Sequence, residues 1–597
     1  MISSLPLYGT TWYVRRDGGT RYSANSTNGR CDGKADSAAP RTGTNQHCAF
    51  NDIRFLWTDG SYTTDSSVGA PKWGWIGAGG DTYIIRDGPW RIGQNGPNPG
   101  DGFGLAGNPF GAGAPPPPSG TPDAHTKIFG ANHGSCAAQS ARTQIFGGYG
   151  VGTVLSLNGA SYVDVACLDI SDHSNCGRQG QASACKTDYP VGDFSTDGLG
   201  WSNTSTNDTV TDMRIHGMAR AGMIGPTGTG VVITDIELVA NASSGWNADN
   251  GSGTTGTGTL LVQDFTISWN GCAEEYPIVD KLPYQDCTDD SGGGYGDGFG
   301  TATTASKPGW KARFDRGVVS YNTQDGLDAL HLTGAGSSMT INRVLAFGNM
   351  GQQIKVGGQQ GISTNNLVVT NCNALRQSIP GTPAKYNSHL SDFCRAADTG
   401  IALTIGKGTT LTFDNNTIYS ASTVGIEISC DGTAGPCDAT SLIDYRNNIF
   451  LSFMNDAAAG YPGGGNGKYS SVIYVDKDIT SNPFTNSGSA YSNNILYYPT
   501  SKTRCLANVD AQQACRDPHL VDETWHVYGY GNMSPASGSA AAAGPGVSGF
   551  DLAQGPGGVS RPKPPTPRRL GLISGAIFVA ALGLGIWQIT SSRTKKA

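Results

Sequence analysis

Between Gly294 and Gly358 the chain sets acidic and basic side chains at nearly regular intervals. Asp297 lies in YGDGFG, Asp325, Asp328 and His331 lie in QDGLDALH, and Lys355 lies in QQIKVGG. Asp297 and Asp325 are 28 residues apart, and Asp325 and Gly351 are 26 apart. If each interval is one coil of a stacked sheet, the side chains form a strip with about 5 Å between coils. Carboxylates beside a His or Lys can do two kinds of work. In glycoside hydrolysis, one carboxylic acid protonates the leaving oxygen while another carboxylate activates water. In an eliminating lyase, the carboxylates hold Ca²⁺ against a uronate while Lys or Arg removes the proton alpha to its carboxylate. Asp289 and Asp290, with Glu274 and Glu275, add candidate oxygen ligands for Ca²⁺ in the insertion that precedes the strip.

Trp201, Trp246, Trp269, Trp310 and Tyr321 offer flat apolar faces for sugar rings, and packing at solenoid corners accounts for them equally well. Strand parity assigns faces. Ile354 and Val356 should point inward, leaving Gln353 and Lys355 outward, with Gln353 a further substrate contact. Leu330 and Leu332 should point inward and Ala329 and His331 outward. Asp328 then shares the parity of Leu330, so it ends the turn or is buried. Each Asp also has a plain use, because Asp-Gly is a strong turn former.

Something must hold these residues in register. From about Thr143 the chain repeats a short apolar strand, an Asp or Asn, and a second alternating strand, as in VTDMRIHGM, VVITDIELVAN, LLVQDFTISWN, KARFDRGVVSYN and SMTINRVLAFGN. The marker falls at Asp212, Asp235, Asp264, Asp315, Asn342 and Asn366, in steps of 23, 29, 51, 27 and 24 residues. One unit is therefore 23–29 residues, and the step of 51 reads as two units. A period of this length is the signature of a solenoid. Period-two alternation specifies strands, not helices. No helical stretch is available to cover a sheet, and the Trp-Asp signatures of propeller blades are absent. A parallel β-helix remains, with Asn and Asp at the corners because they tolerate left-handed backbone angles.

These segments resemble the right-handed parallel β-helix superfamily that includes pectate lyases and polygalacturonases, over roughly residues 143–561. NTQDG and QIK are similar to parts of the polygalacturonase signature. RDPHLVDET at Arg516–Thr524 and SRPKPPTP at Ser560–Pro567 look like the ends of bacterial extracellular β-helix proteins. The resemblance implies an all-β, right-handed parallel β-helix with an N-terminal cap, loop insertions, a polysaccharide partner, and lyase or hydrolase activity.

Composition agrees with many short strands and tight turns. Glycine supplies 87 of 597 residues without a Gly-X-Y period, and 37% of residues are hydrophobic. A net charge of -7 leaves no basic footprint for nucleic acid. The fourteen cysteines fall into local pairs, Cys31/Cys48, Cys176/Cys185, Cys272/Cys287, Cys372/Cys394, Cys430/Cys437 and Cys505/Cys515, with Cys136/Cys167 remaining. Without a CxxC pair, disulfides in an oxidising compartment are expected in place of zinc. The opening MISSLPLYGTTWYV lacks the basic and apolar regions of a signal peptide. Leu570–Ile589 is twenty residues without a charge, long enough to span a bilayer at about 1.5 Å per residue.

The expected organisation is a cap with first strands (1–142), the β-helix (143–560), a Pro-rich stalk (561–569), a transmembrane helix (570–589) and a short basic tail (590–597). The Pro run at Ala114–Gly120 is expected to be a stiff spacer. The expected function is a cell-surface, membrane-anchored protein that binds polysaccharide and cleaves it as a lyase or hydrolase. The alternatives are a non-catalytic adhesin or carbohydrate-binding protein, and a structural stalk.

Overall fold

The computed structural model describes residues 9–22, 30–57, 74–92, 113–136, 141–148, 151–172, 195–248, 257–274, 284–287, 296–301, 309–330, 332, 336–349, 351–357, 360–370, 399–420, 425–430, 435–452, 473–475, 483, 486–497, 514–515, 517–521, 525–526, 529–530, 533–537 and 539. Their strands stack in parallel into a 21-stranded sheet and a 10-stranded sheet, and two short antiparallel hairpins lie outside both. The chain visits each sheet once or more per coil, so residues about one repeat apart become neighbours. This is the parallel β-helix expected from the repeats.

Apolar alternation becomes vertical columns. In the long sheet Val210, Ile233, Val262, Phe314 and Ile341 are successive register partners, and all are buried. In the second sheet the column is Leu199, Met223, Trp246, Phe299, Leu327, Ile354, Ile401 and Ile426. Each inward side chain is covered above and below by its own kind, so one apolar position per coil builds a continuous core. Gly317 takes its place in the long sheet because the Phe265 ring occupies its side-chain space; a Cβ there would lie 2.2 Å from the ring.

A left-handed corner recurs at Asp212, Asp235, Asp264, Arg316, Arg343, Asn365, Asn415, Asn447 and Asn493, with φ between 52° and 56°. The expected marker is therefore right at its first three members. It stands one residue early at Asp315 and Asn342 and one late at Asn366. The step of 51 is one coil, not two, because Gly258–Ser268 pairs directly with Trp310–Ser320. An insertion lengthens that coil, and within it Cys272–Glu274 pairs antiparallel with Tyr284–Cys287.

Asparagines staple the coils along two lines. Asn241 donates to Asn270 (2.9 Å), Asn270 to Asn322 (2.8 Å), and Asn322 to Asn349 (2.7 Å). A second ladder runs from Asn366 through Asn416 and Asn448 to Asn494. These side chains are buried, so each amide finds its partner in the next coil and not in water.

Stacking already begins within the segment expected as cap and first strands. Thr11–Gly19 pairs with Thr82–Ile85, and that strand with Thr126–Gly130. The Pro run, expected to be a stiff spacer, is packed against the solenoid. Ala114 bridges Leu155, and Pro115 accepts a hydrogen bond from Trp75 Nε1 (2.6 Å). Disulfides join Cys31–Cys48, Cys136–Cys167 and Cys430–Cys437. Cys272 and Cys287 are register partners in the inserted hairpin. Cys176/Cys185 and Cys372/Cys394, together with Cys505, lie outside the described residues, as does Leu570–Ile589. Among the described residues no helix is long and apolar enough to cross a membrane.

Candidate active site

Three neighbouring strands of the 10-stranded sheet build the site: Phe299–Gly300, Leu327–Ala329 and Ile354–Val356. Phe299, Leu327 and Ile354 point inward as one column. The next position outward is Gly300, Asp328 and Lys355, also in register. Asp297 and Asp325 lie two residues before their core partners, in the turns that enter the sheet.

Backbone amides fix the turn carboxylates. Asp297 Oδ1 accepts from the Asp325 amide one coil on (3.0 Å), and Asp325 Oδ1 accepts from the Gln352 amide a further coil on (2.7 Å). Asp197 makes the same contact with the Ala221 amide (3.3 Å). Asp328 Oδ1 accepts from the Leu330 amide (2.9 Å). The other Asp328 oxygen and that of Asp325 meet Lys355. Its Nζ lies 2.5 Å from Asp325 Oδ2 and 3.0 Å from Asp328 Oδ2.

Asp297, Asp325 and Asp328 each present an oxygen within 4.8 Å of the other two. Two oxygens bound at about 2.4 Å to one Ca²⁺ can be at most about 4.8 Å apart, so three such oxygens fit a single ion. Gly351 supplies the space for this approach, since a Cβ there would meet Asp325 Oδ1 at 2.2 Å. Gly300 is similarly placed against Asp297 Oδ2 at 3.0 Å.

The electrostatics are uneven. Burial, then the charges of Asp325 and Asp328, push the Asp297 carboxyl well above the usual carboxylate range. Burial works against the Lys355 ammonium, but the carboxylates of Asp325, Asp328 and Asp297 outweigh it and raise its pKa. Three acids face one base here, and the excess of negative charge suits a divalent cation.

Four of the five expected catalytic residues, Asp297, Asp325, Asp328 and Lys355, are thus brought together. His331 lies outside the described residues, as do Asp289 and Asp290. The expected parity fails in the middle coil. Ala329 is fully buried and pairs with Val356, while Asp328 shares the outward position of Lys355. The alternation starts at Leu327, directly after the turn, so the faces are shifted by one residue from those expected.

Gln353 does not face outward as expected. It is fully buried, and its Oε1 accepts from Asn349 Nδ2 (2.8 Å), closing the first asparagine ladder. Trp246 is also fully buried, edge-on to Phe299 at 5.2 Å, with Nε1 donating to the Gly225 carbonyl. Trp201 lies in the same core. Tyr321 is buried and stacks on half-buried Trp269 at 4.5 Å. Of the expected stacking residues only Trp269 keeps a partly open face. The two supporting glycines were not expected; Gly351, directly before QQIK, was the visible signal.

No family model and no curated protein sequence matches the chain. Among solved structures, the pectate lyase Pel9A is 12% identical with a TM-score of 0.35, covering 83% of this chain and 82% of that one. A mannuronic acid specific polysaccharide family 6 lyase from human gut microbiota is 10% identical with a TM-score of 0.38, covering 74% and 78%. The mannuronan C-5 epimerase AlgE4 A-module of Azotobacter vinelandii is 14% identical with a TM-score of 0.32, covering 61% and 85%. At these values the likeness says nothing of activity. The parallel β-helix stands on the strand register of the chain itself.

Proposed function

We propose that the protein binds an acidic polysaccharide across the strip and cleaves it by β-elimination. The observation that carries this reading is the convergence of Asp297, Asp325 and Asp328 to within 4.8 Å beside the Nζ of Lys355. Asp297, Asp325 and Asp328 would hold Ca²⁺. When bound, that ion supplies positive charge that neutralises the substrate carboxylate and replaces Lys355 as counter-charge to the three acids. With the ion as counter-charge the Lys355 ammonium would give up its proton to solvent, and the neutral amine is then the group placed to take the proton alpha to the uronate carboxylate. The C–H electrons then form the carbon–carbon double bond, the bond to the glycosidic oxygen breaks, and that oxygen leaves with a proton from water. Lys355 sits on the outward face of its strand, and Asp328 beside it fixes its amine. Trp269 would carry a sugar ring on its open face.

Inverting hydrolysis fits less well. An inverting pair of carboxyl groups stands about 6.5–9.5 Å apart to admit water, whereas these oxygens lie within 4.8 Å. A non-catalytic glycan-binding or adhesin role has one observation in its favour, because Asp297 and Asp325 both cap the amide of the following coil. We further propose a cell-surface location, with the body held outside by the span at Leu570–Ile589; the disulfides support an oxidising compartment. The two chemistries are separated by incubating the protein with galacturonan, mannuronan and guluronan. Elimination yields ultraviolet-absorbing unsaturated ends, hydrolysis yields reducing ends alone, and a binding protein yields neither.

A further inference from the structure

A second cleft, of about 870 Å³, opens elsewhere on the solenoid, bordered by Arg86, Asp87, Asn132, Arg142, Gln144 and Asp169. Its size lies within the range of about 300–1,000 Å³ usual for small-ligand sites. No described residue of the acidic strip borders it. Two of its bordering residues, Gln144 and Asp169, are register partners in an outward column of the long sheet that continues through Arg214 and Glu237.

Buried polar groups border the cleft. Asp169 is 3% exposed and meets His216 Nε2 at 2.8 Å, and His216 is 8% exposed. Arg142 has a side chain only 6% exposed; its Nη1 lies 3.1 Å from Glu237 Oε1, and its Nε donates to the Asp212 carbonyl. Arg86 pairs with Asp36 behind the rim. The Cys136–Cys167 disulfide ties the wall after Thr126–Gly130 to the start of the strand Leu168–Ser171.

The charge pattern indicates the ligand. Arg86, Arg142 and Asp169 each already face an opposite charge supplied by the protein. A charged ligand that engaged Arg142 or Asp169 would have to break a buried pair and strand its partner, which is costly. Hydrogen-bonding capacity remains in the exposed amide side chains of Asn132, whose Nδ2 donates one hydrogen to the Ala141 carbonyl (2.7 Å), and of Gln144. A sugar hydroxyl donates and accepts at once, so it can use both ends of an amide without needing net charge.

The geometry points to this cleft as a binding site for uncharged saccharide, separate from the acidic strip and independent of its chemistry. The test is titration calorimetry on the full chain with neutral hexasaccharides of gluco-, manno-, xylo- and galacto- type, and with a hexagalacturonate as the charged control. At least one neutral hexasaccharide should bind. Gln144→Trp, which fills the mouth, and the Asn132→Ala/Gln144→Ala pair should each weaken that binding at least tenfold with the melting temperature unchanged. Asp328→Asn, on the other sheet, should leave it intact. The inference is overturned if no neutral oligomer binds at millimolar concentration, if only the uronate binds, or if the alanine pair binds as the parent does. Failure of the elimination chemistry would leave these results unaffected.

Discussion

Lys355 and Asp325 meet across one coil boundary, Nζ to Oδ2 at 2.5 Å, with Asp325 fully buried. Asp325 lies in the turn that enters one coil and Lys355 on the strand of the next, so the geometry of the pair depends on coil register. Asp328 adds a second carboxylate at 3.0 Å. The same contact explains why the site holds charge in a buried position and why disturbing it has two separable effects.

Removing one partner should be expensive. Lys355→Met leaves the buried carboxylates without their cation and should destabilise the surrounding coils by about 3–5 kcal/mol. Adding Asp325→Asn to it should recover much of that loss. Hydrogen exchange over residues 325–356 is the suitable measure, because stacked coils open locally and one global transition does not describe them. Equal protection in the parent and Lys355→Met would show that the pair adds nothing to stability.

Calcium should bind where the acids converge. At a hundredfold excess over its dissociation constant it should stabilise the folded state by about 2.7 kcal/mol. Asp297→Asn and Asp328→Asn should each remove most of the rise in melting temperature, and chelator should reverse it in the parent. A rise of the same size in both variants would place the ion elsewhere.

The glycine behind Asp325 should be intolerant. A Cβ on residue 351 would lie 2.2 Å from Asp325 Oδ1, so Gly351→Ala must displace that carboxylate. Calcium affinity should fall at least tenfold. Gly336→Ala is no fair control because Gly336 has a φ of 76°; Gly74→Ala, with nothing within 4 Å of its Cβ, should leave affinity unchanged.

Asp208 should impose a pH slope on stability. Its Oδ1 accepts from the Val163 amide (2.9 Å), its other oxygen has no hydrogen-bond partner, and burial pushes its carboxyl up to about 8. The unfolded carboxyl titrates near 4. Between these values the unfolded chain releases a proton that the fold retains, so this contribution falls as pH rises from about 4 to about 8. The slope is at most about 1.4 kcal/mol per pH unit. Denaturation across this range should show a flatter profile for Asp208→Asn, and parallel profiles would contradict the assignment.

Much of this was legible in the chain. Period-two alternation and a 23–29-residue repeat specify stacked parallel strands, and the spacing of Asp297, Asp325 and Lys355 places them on neighbouring coils. What alternation alone does not set is where each strand begins after its turn. For that reason Ala329 and Asp328 exchanged faces, and the corner markers slipped by one residue at Asp315, Asn342 and Asn366. Gln353 looked outward because it shares the strand parity of Lys355, opposite to Ile354 and Val356. It is buried because the asparagine ladder gives it an internal partner, a contact made only once Asn349 is in place. Trp246 likewise has a polar handle that the Gly225 carbonyl satisfies inside the core. The Asp169–His216 pair spans 47 residues between strand segments, a distance across which sequence spacing carries little information.

The most direct test follows ultraviolet absorbance while the protein acts on uronate homopolymers with calcium present. Absorbance from unsaturated ends should rise with the parent and fall at least a hundredfold with Lys355→Met, while polymer binding by that variant persists. New reducing ends without absorbance, or absorbance that survives Lys355→Met, would contradict elimination at this site.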